Sequence, residues 1–363
     1  MQRMRGTRET ARSVNTWLDT LSGRAYEARQ QLYSTGKAFT ATDVRKLMQG
    51  EELYPVKKLS DIFDYQTEFI SSLIGHNYTY GTLRKYRSTY RSLKRYMIKT
   101  YGVDDMRLDQ LDFKFIRDYE AFLRTEYKWV HNTITSTVRR VKTVIRLAMD
   151  LGWLNRNPFI AMKLKVVEVY RDFLTSEELS RIAAKNFKVR RLSTVRDLFV
   201  FSCFTGLSYA DTVKLELDDI VTGEDGEQWL QTHRSKNNNR VRVPLLPPAL
   251  KLIRLYHDDP RRQEKKLFPS ISNQKANAYL KDIAKAVSLK KKLTYHVARH
   301  TFATTVTLTN GVPIETVGQM LGHKSIKSTQ LYARVTDTKV RIDMGPLKAR
   351  YEAQELSLES EFD

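Results

Sequence analysis

The chain has 363 residues, 41% of them hydrophobic, which is enough for two or three domains with sizeable cores and argues against wholesale disorder. It carries 62 Lys and Arg against 41 Asp and Glu, a formal net charge of +21. Such a surplus favours a polyanionic partner, nucleic acid before an anionic membrane surface. No apolar run approaches the roughly 18 residues that span a bilayer, and no signal peptide opens the sequence.

The first region, residues 1–55, is predicted to be an N-terminal helical segment. Residues 9–50 predict two or three short helices. One of them begins near Thr40 or Thr42, because either side chain can cap a helix N-terminus. Val44 and Leu47 then fall on one apolar face.

Residues 56–160 predict an all-helical bundle. Two segments, 83–99 and 132–149, repeat apolar residues at steps of three and four, as one face of a helix does. Their other positions are basic. A solvated face is the alternative for each helix alone, but two such helices in a strongly basic chain favour contact with the DNA backbone. The candidate DNA-binding residues are Arg84, Lys85, Arg87, Arg91, Lys94, Arg95, Arg139, Arg140, Lys142 and Arg146.

A basic linker, residues 161–172, separates this bundle from a second domain. The bundle ends at the turn signal Asn155–Pro158. After the linker, Leu174-Thr-Ser-Glu-Glu-Leu predicts a new helix with a Thr or Ser cap and an acidic first turn. The single cysteine, Cys203, lies in an apolar run and is predicted to be buried.

The second domain, residues 173–345, predicts mixed α and β structure. Residues 229–236 and 240–246 read as two strands of a β-hairpin, joined by a turn at three asparagines. Helices are predicted at 274–287 and 299–310. An acidic C-terminal tail, residues 346–363, completes the chain.

Three separated pieces of this domain carry residues suited to phosphodiester chemistry, and one of them is the predicted hairpin with Arg234 and Lys236. His296 and Arg299 are three apart at a predicted helix start, so they share a face. Gly322 precedes His323, and Tyr332 follows nine residues later. Arginine stabilises a transition state that gains negative charge, and an acid must protonate the leaving oxygen. The pattern contains no carboxylate cluster of the two-metal kind, so neither a metal nor another cofactor is predicted.

Together these pieces resemble the tyrosine recombinase (phage integrase) family. The resemblance rests on His296-Val-Ala-Arg299, on Leu321-Gly-His323, on Tyr332, and on Thr205-Gly-Leu-Ser-Tyr-Ala-Asp211 in place of the family's Thr-Gly-Leu-Arg block. It is clear over residues 173–340 and weaker over 59–160. The implied fold is multidomain: an all-α core-binding bundle and a catalytic domain that is mainly α with a small antiparallel sheet.

The resemblance implies a role for each motif residue. Tyr332 would be the nucleophile and would carry the 3′-phosphoryl group. Arg299 would hold the non-bridging oxygens, and His296 would accept a proton and bind the phosphate. His323 would donate to the phosphate, and Lys236 would protonate the 5′-hydroxyl leaving group.

The sequence departs from the family at Ser208, where the first catalytic arginine is expected. Serine cannot replace a planar, permanently charged guanidinium, and losing one such donor can cost roughly 10²–10³ in rate. Arg234 is the predicted replacement, because on the predicted strand it points to the same face as Lys236. Asp211 would anchor the site from behind. In this replacement the sequence resembles integrases of conjugative transposons, in which a serine can occupy this position. Other candidate replacements are Arg190, Arg191, Arg196 and Arg240.

The leading hypothesis is a metal-independent recombinase that integrates and excises a mobile element. The implied partners are double-stranded DNA attachment sites, further copies of the chain in a tetramer joined by exchange of C-terminal tails, and an accessory DNA-bending protein. No membrane partner is implied, and the expected location is the bacterial cytoplasm with the nucleoid. The alternatives are a catalytically impaired DNA-binding protein of the same fold, a type IB topoisomerase, and a plain helix-turn-helix regulator.

Overall fold

The computed structural model describes residues 9–34, 36, 38–51, 56–330 and 337–359. The chain divides into two compact units between Glu168 and Val169, inside the stretch predicted as a linker. Among the described helices, none combines the length and the apolar character that a bilayer span requires.

The first unit begins with two helices, α1 (Glu9–Ser34) and α2 (Ala41–Met48). The cap predicted near Thr40 is confirmed, because its hydroxyl accepts from the Asp43 amide and the Asp43 side chain accepts from the Thr40 amide. The prediction of only short helices was wrong for α1. No proline interrupts this segment, and Gly23 is tolerated inside the helix because its neighbours favour helix.

Four further helices form the bundle predicted for this region. Its core joins one face of each helix and contains, fully buried, Phe63, Leu93, Tyr119 and Val138. The apolar face predicted for residues 132–149 is confirmed, since all five of its apolar positions are buried. The helices are α3 (Leu59–Ser72), α4 (Tyr80–Tyr101), α5 (Phe113–Thr125) and α6 (His131–Asp150).

The second unit is mainly helical around a small sheet. Its first helix is capped by Thr175, whose hydroxyl accepts from the Glu178 amide, so the cap predicted there is confirmed. The helices are α7 (Ser176–Ala184), α8 (Arg190–Thr205), α9 (Tyr209–Lys214), α10 (Pro247–Tyr256), α11 (Asn273–Ala286), α12 (Tyr295–Thr301), α13 (Ile314–Met320), α14 (Ile326–Gln330) and α15 (Asp337–Glu359).

The sheet has three antiparallel strands in the order β1 (Ile220–Thr222), β2 (Gln228–His233) and β3 (Arg240–Pro244). Leu230 pairs with Val243, and both side chains are buried. The predicted hairpin is confirmed, but its strands are shorter than predicted. β2 stops at His233, because the amide of Ser235 donates to the Asp211 carboxylate instead of to a neighbouring strand.

Helix α8 runs through the core of the second unit. Its residues Phe199, Phe201 and Cys203 are fully buried, which confirms the prediction for the cysteine. Helix α12 begins at Tyr295, four residues before the predicted start, and its end continues into wider π-type turns at Phe302–Thr307.

The C-terminal helix crosses a predicted boundary. The catalytic domain was predicted to end at residue 345 and a separate tail to begin at 346. Helix α15 instead runs without a break from Asp337 to Glu359 and contains Pro346. The described part of the tail therefore continues a helix that begins within the second domain.

Candidate active site

A tight turn after α8 supplies the first wall of the site. Gly206 ends the helix with φ +70°, a conformation that costs glycine little. A Cβ atom at this position would lie 2.5 Å from Cδ1 of Phe302, so a larger residue would displace the aromatic ring. The turn leaves the Gly206 carbonyl free to accept a hydrogen bond from the Arg299 Nη1 group at 2.7 Å.

Arg299 lies at the centre of the site and is only 3% exposed. Besides the bond to Gly206, its Nη2 group donates to the Leu321 carbonyl at 2.6 Å and to Nε2 of His323 at 2.8 Å. A guanidinium held by a fixed set of acceptors is preorganised, because little reorganisation is needed when an anion arrives.

Arg234 reaches the same carbonyl from the β2–β3 turn. Its Nη1 group donates to the Leu321 oxygen at 2.8 Å, and its Nε lies 2.9 Å from Oδ2 of Asp211. Two guanidinium groups, those of Arg234 and Arg299, therefore share one carbonyl oxygen. Such a pair concentrates positive charge where a phosphate could bind.

Asp211 links Arg234 to Ser208, the residue that stands where the family's first catalytic arginine is expected. The Ser208 hydroxyl donates to Oδ2 of Asp211 at 2.7 Å, and the Ser235 amide donates to Oδ1 at 2.7 Å. Burial opposes ionisation of this carboxyl, but these hydrogen bonds and the charge of Arg234 outweigh it and lower the pKa of Asp211. The small Ser208 side chain and Arg234 are thus fastened to one carboxylate.

The other arginines considered as replacements have partners elsewhere. Arg190 lies 3.6 Å from the Asp259 carboxylate, and Arg196 lies 2.5 Å from that of Asp197. The Arg191 guanidinium lies over the Tyr279 ring, and Arg240 donates to the side chain of Gln231. Of the arginines considered, Arg234 is therefore the one that shares the Leu321 carbonyl with Arg299.

Two predicted site histidines have depressed pKa values. Burial of the ring, with the charges of Arg299 and Arg234, lowers the pKa of His323 to about 4. Partial desolvation of His296, with the charges of Arg171, Arg299 and Arg234, lowers its pKa to about 4. Both rings are neutral at pH 7, so each can accept a proton or a hydrogen bond through one nitrogen.

Lys236 is exposed on the β2–β3 turn. It was predicted to share a strand face with Arg234, and this was wrong, because both residues follow the end of β2. The turn is instead fastened to the segment before His323, since the Asn239 side chain donates through Nδ2 to the Gly322 carbonyl at 2.9 Å. The turn that carries Lys236 is thereby fixed to the segment that carries His323.

Tyr332 lies outside the described residues. Helix α14 ends at Gln330, two positions before it in the sequence. The described residues bring Arg234, Arg299 and His323 together around the Leu321 carbonyl.

Eight of the ten cations predicted to bind DNA in the first unit are exposed. The other two are partly buried and bonded within the bundle. Arg140 donates to the Thr89 hydroxyl at 2.6 Å, and Lys142 donates to the Met162 carbonyl. Both therefore tie parts of the bundle together, and their prediction as DNA contacts stays untested.

Four site residues were not anticipated from the sequence. Asn239 and Gly206 contribute hydrogen bonds, and Arg171 contributes charge near His296. Thr329 lies 2.9 Å from the second ring nitrogen of His323. Only Gly206 had a visible signal, as part of the Thr-Gly-Leu motif. Among the described residues, no group of three His, Cys, Asp or Glu is placed to hold a metal ion.

Comparison with known proteins identifies both units. Residues 172–339 match the phage integrase family, and residues 61–166 match the phage integrase SAM-like domain. The chain is 23% identical to tyrosine recombinase XerD of Listeria innocua over 298 residues, which cover 78% of this chain and 97% of the relative.

Two solved structures share the fold. A lambda integrase tetramer bound to a Holliday junction superposes with a TM-score of 0.61 at 19% identity, covering 83% of this chain and 85% of that one. The Tn1549 transposon integrase in complex with transposon right end DNA gives a TM-score of 0.61 at 16% identity, covering 80% of this chain and 100% of that one.

Proposed function

Because the chain belongs to the tyrosine recombinase (phage integrase) family, we propose that it integrates and excises a mobile element by cutting DNA with Tyr332. It is a tyrosine-type site-specific recombinase. The observation that supports the chemistry best is the shared Leu321 carbonyl, which holds the guanidinium groups of Arg234 and Arg299 together. The likeness to the Tn1549 integrase supports the mobile-element role.

The proposed reaction exchanges one phosphoester for another. The Tyr332 hydroxyl attacks phosphorus, the bond to the 5′ oxygen breaks, and a 3′-phosphotyrosyl bond forms. The tyrosine proton passes to neutral His296, and Lys236 gives a proton to the 5′ oxygen. Arg299 and Arg234 stabilise the non-bridging oxygens, and His323 donates to one of them. Cations of the protein provide this stabilisation in the scheme.

Arg234 replaces the arginine that the family carries at the position of Ser208. In support, the carboxylate of Asp211 binds both Ser208 and Arg234. A guanidinium at position 208 is thus exchanged for one that comes from the β2–β3 turn. Because Arg234 is nearly buried, at 13% side-chain exposure, its charge is weakly screened by salt.

The recombinase acts as a tetramer in which C-terminal helices are exchanged. Helix α15 exposes an apolar stripe at Val340, Met344, Leu347 and Tyr351, which lie on one helix face. The same unit contains an open cavity of about 1180 Å³, lined by apolar residues such as Leu179, Val200 and Leu255 and by polar ones such as Arg196 and Lys251. We propose that the apolar stripe of α15 in one copy binds in this cavity of a neighbouring copy.

Two further proposals concern the surroundings of the enzyme. Since the reaction is carried out on chromosomal and element DNA, the protein works in the bacterial cytoplasm, at the nucleoid. An accessory DNA-bending protein stays a prediction from the family resemblance.

The experiment uses a nicked suicide duplex that carries the joined ends of the element encoding the chain. Covalent protein–DNA adducts are counted on a denaturing gel, in EDTA, for wild type, Tyr332→Phe and Arg234→Ala. We expect no adduct from Tyr332→Phe. Arg234→Ala should slow adduct formation by roughly 10²–10³, the cost of one preorganised donor.

Arg240→Ala is the matched control, because Arg240 is an exposed arginine of the same hairpin that bonds Gln231. It should react at the wild-type rate. If Arg234→Ala also reacts at that rate with DNA binding intact, Arg234 is not the replacement. If the wild type forms no adduct on its own junction, the DNA-binding protein without catalysis becomes the better description. Relaxation of supercoiled DNA that lacks the junction would instead indicate a topoisomerase.

A further inference from the structure

Thr329 lies behind His323 on the helix that precedes Tyr332. Thr329 is fully buried, with 0% exposure. Its Oγ1 atom lies 2.9 Å from Nδ1 of His323. Gly318 on α13 leaves room for this hydroxyl, since a Cβ atom there would lie 2.8 Å from Oγ1. Thr329 and α13 therefore close one side of this contact.

The other ring nitrogen of His323 fixes the direction of this bond. Arginine carries only donors, so the Nη2 group of Arg299, at 2.8 Å, donates to Nε2 of His323. Burial and the neighbouring arginines lower the pKa of His323 to about 4, so the ring is neutral near pH 7. One ring hydrogen remains, and it lies on Nδ1 and donates to Thr329.

Binding of the scissile phosphate requires the opposite arrangement. For His323 to donate to a phosphate oxygen, its hydrogen must lie on Nε2, and Arg299 must turn from the ring to the phosphate. Nδ1 then becomes an acceptor and needs a donor. A hydroxyl can both accept and donate, whereas a carboxylate only accepts and an ammonium only donates.

We propose that Thr329 is a positioning residue that allows His323 to exchange its neutral tautomers when the scissile phosphate replaces the ring as the partner of Arg299. The ring loses the Nδ1 proton to water and gains one from water on Nε2, so its charge does not change. The hydroxyl rotates from acceptor to donor. This inference rests on the proposed function only in placing His323 at the phosphate.

The test compares Thr329→Val, which keeps the shape and removes the hydroxyl, with Thr329→Ser, which keeps the hydroxyl. Ser328→Ala, an exposed neighbour on α14, is the matched control. On the suicide duplex, Thr329→Val should form adduct about tenfold more slowly, the effect of one neutral hydrogen bond. Thr329→Ser and Ser328→Ala should stay within about threefold of wild type, a small part of that effect.

A second measurement reads the tautomer itself by ¹⁵N NMR of the His323 ring. The free protein should show the hydrogen on Nδ1. The Tyr332→Phe protein bound to intact junction DNA should show it on Nε2, and adding Thr329→Val should shift that complex back towards Nδ1. Equal tautomers in the free and bound proteins would overturn the proposal, as would a Thr329→Ser rate as slow as that of Thr329→Val.

These outcomes separate the inference from the proposed function. If the wild type forms no adduct, the proposed function fails, but the free protein still reports whether Nδ1 carries the hydrogen. If the wild type is active and Thr329→Val matches it, the proposed function stands and the role of Thr329 is rejected.

Discussion

At the scale of single residues, the site depends on charges that are kept apart from water. Asp211 stays ionised because two hydrogen bonds and Arg234 compensate its burial. At the nearby histidines the positive charge of the arginines adds to the effect of desolvation. Burial, and then interaction with His296, Arg171 and Arg299, lowers the pKa of His300 to about 4. Desolvation and nearby arginines lower the pKa to about 4 at His323 and at the more exposed His296. The site therefore combines permanent cations with neutral imidazoles.

The depressed histidine pKa values predict how stability depends on pH. Between pH 6.5 and about 4 the unfolded chain binds protons at these histidines and the folded chain does not. The free energy of unfolding of the second unit should therefore fall as pH drops through this range. Urea unfolding at several pH values measures it. His300→Gln should give a shallower decrease. Comparing both proteins at pH 8 removes the effect of the substitution on packing, and an unchanged slope would contradict the assignment.

At the scale of elements, apolar residues at helical spacing have different outcomes in α6 and in residues 340–351 of α15. The apolar face of α6 is buried in its own unit. That of α15 is exposed, with Leu347 and Met344 each at 42%. An exposed apolar stripe favours a partner surface, and the further copies in the proposed tetramer would provide one.

Breaking the stripe should separate assembly from DNA binding. Leu347→Asp puts a charge on the proposed contact, so tetramers on a Holliday junction should be lost while one copy still binds a half-site. Mass photometry of the protein–junction complexes counts the copies. Ala349→Asp makes a similar change on the opposite, exposed face of α15 and should leave tetramers intact. Equal assembly by both variants would rule out the stripe as the contact.

At the scale of the whole molecule, the net charge of +21 favours a polyanionic partner. Part of this charge is exposed as a row on α4 that includes Arg84, Arg87 and Arg91, spaced so that they share one helix face. Cations arranged in this way attract the phosphate backbone at any sequence.

Removing part of this row should change the salt dependence of DNA binding. For each phosphate that the variant no longer neutralises, the slope of log K against log salt should become shallower by about 0.9. We therefore expect the double variant Arg84→Ala and Arg91→Ala to reduce the slope by about 1.8, which is twice the change for one phosphate. Fluorescence anisotropy of labelled DNA at several salt concentrations measures the slope. Lys114→Ala on α5, where Lys114 is paired with Asp118 at 2.5 Å, should leave the slope unchanged. If both proteins give the wild-type slope, α4 does not contact the backbone.

Local patterns in the sequence determined the helical bundle, the caps at Thr40 and Thr175, and the burial of Cys203. These follow from interactions among near neighbours, which periodicity and residue type encode. The order of the His296, Arg299 and His323 motifs likewise predicted the family, which the comparisons confirm.

Only the tertiary structure decided which groups meet. Arg234 bonds the carbonyl of Leu321, 87 positions away, and a backbone oxygen has no side-chain signature in a sequence. The end of β2 depended on Asp211, which comes from a different element. In the sequence, Thr329 has no feature that distinguishes it from other threonines. Its role follows from the packing of α13 against α14, which places its hydroxyl beside His323. Periodicity specifies which face is apolar, whereas long-range packing selects the partner of each polar group.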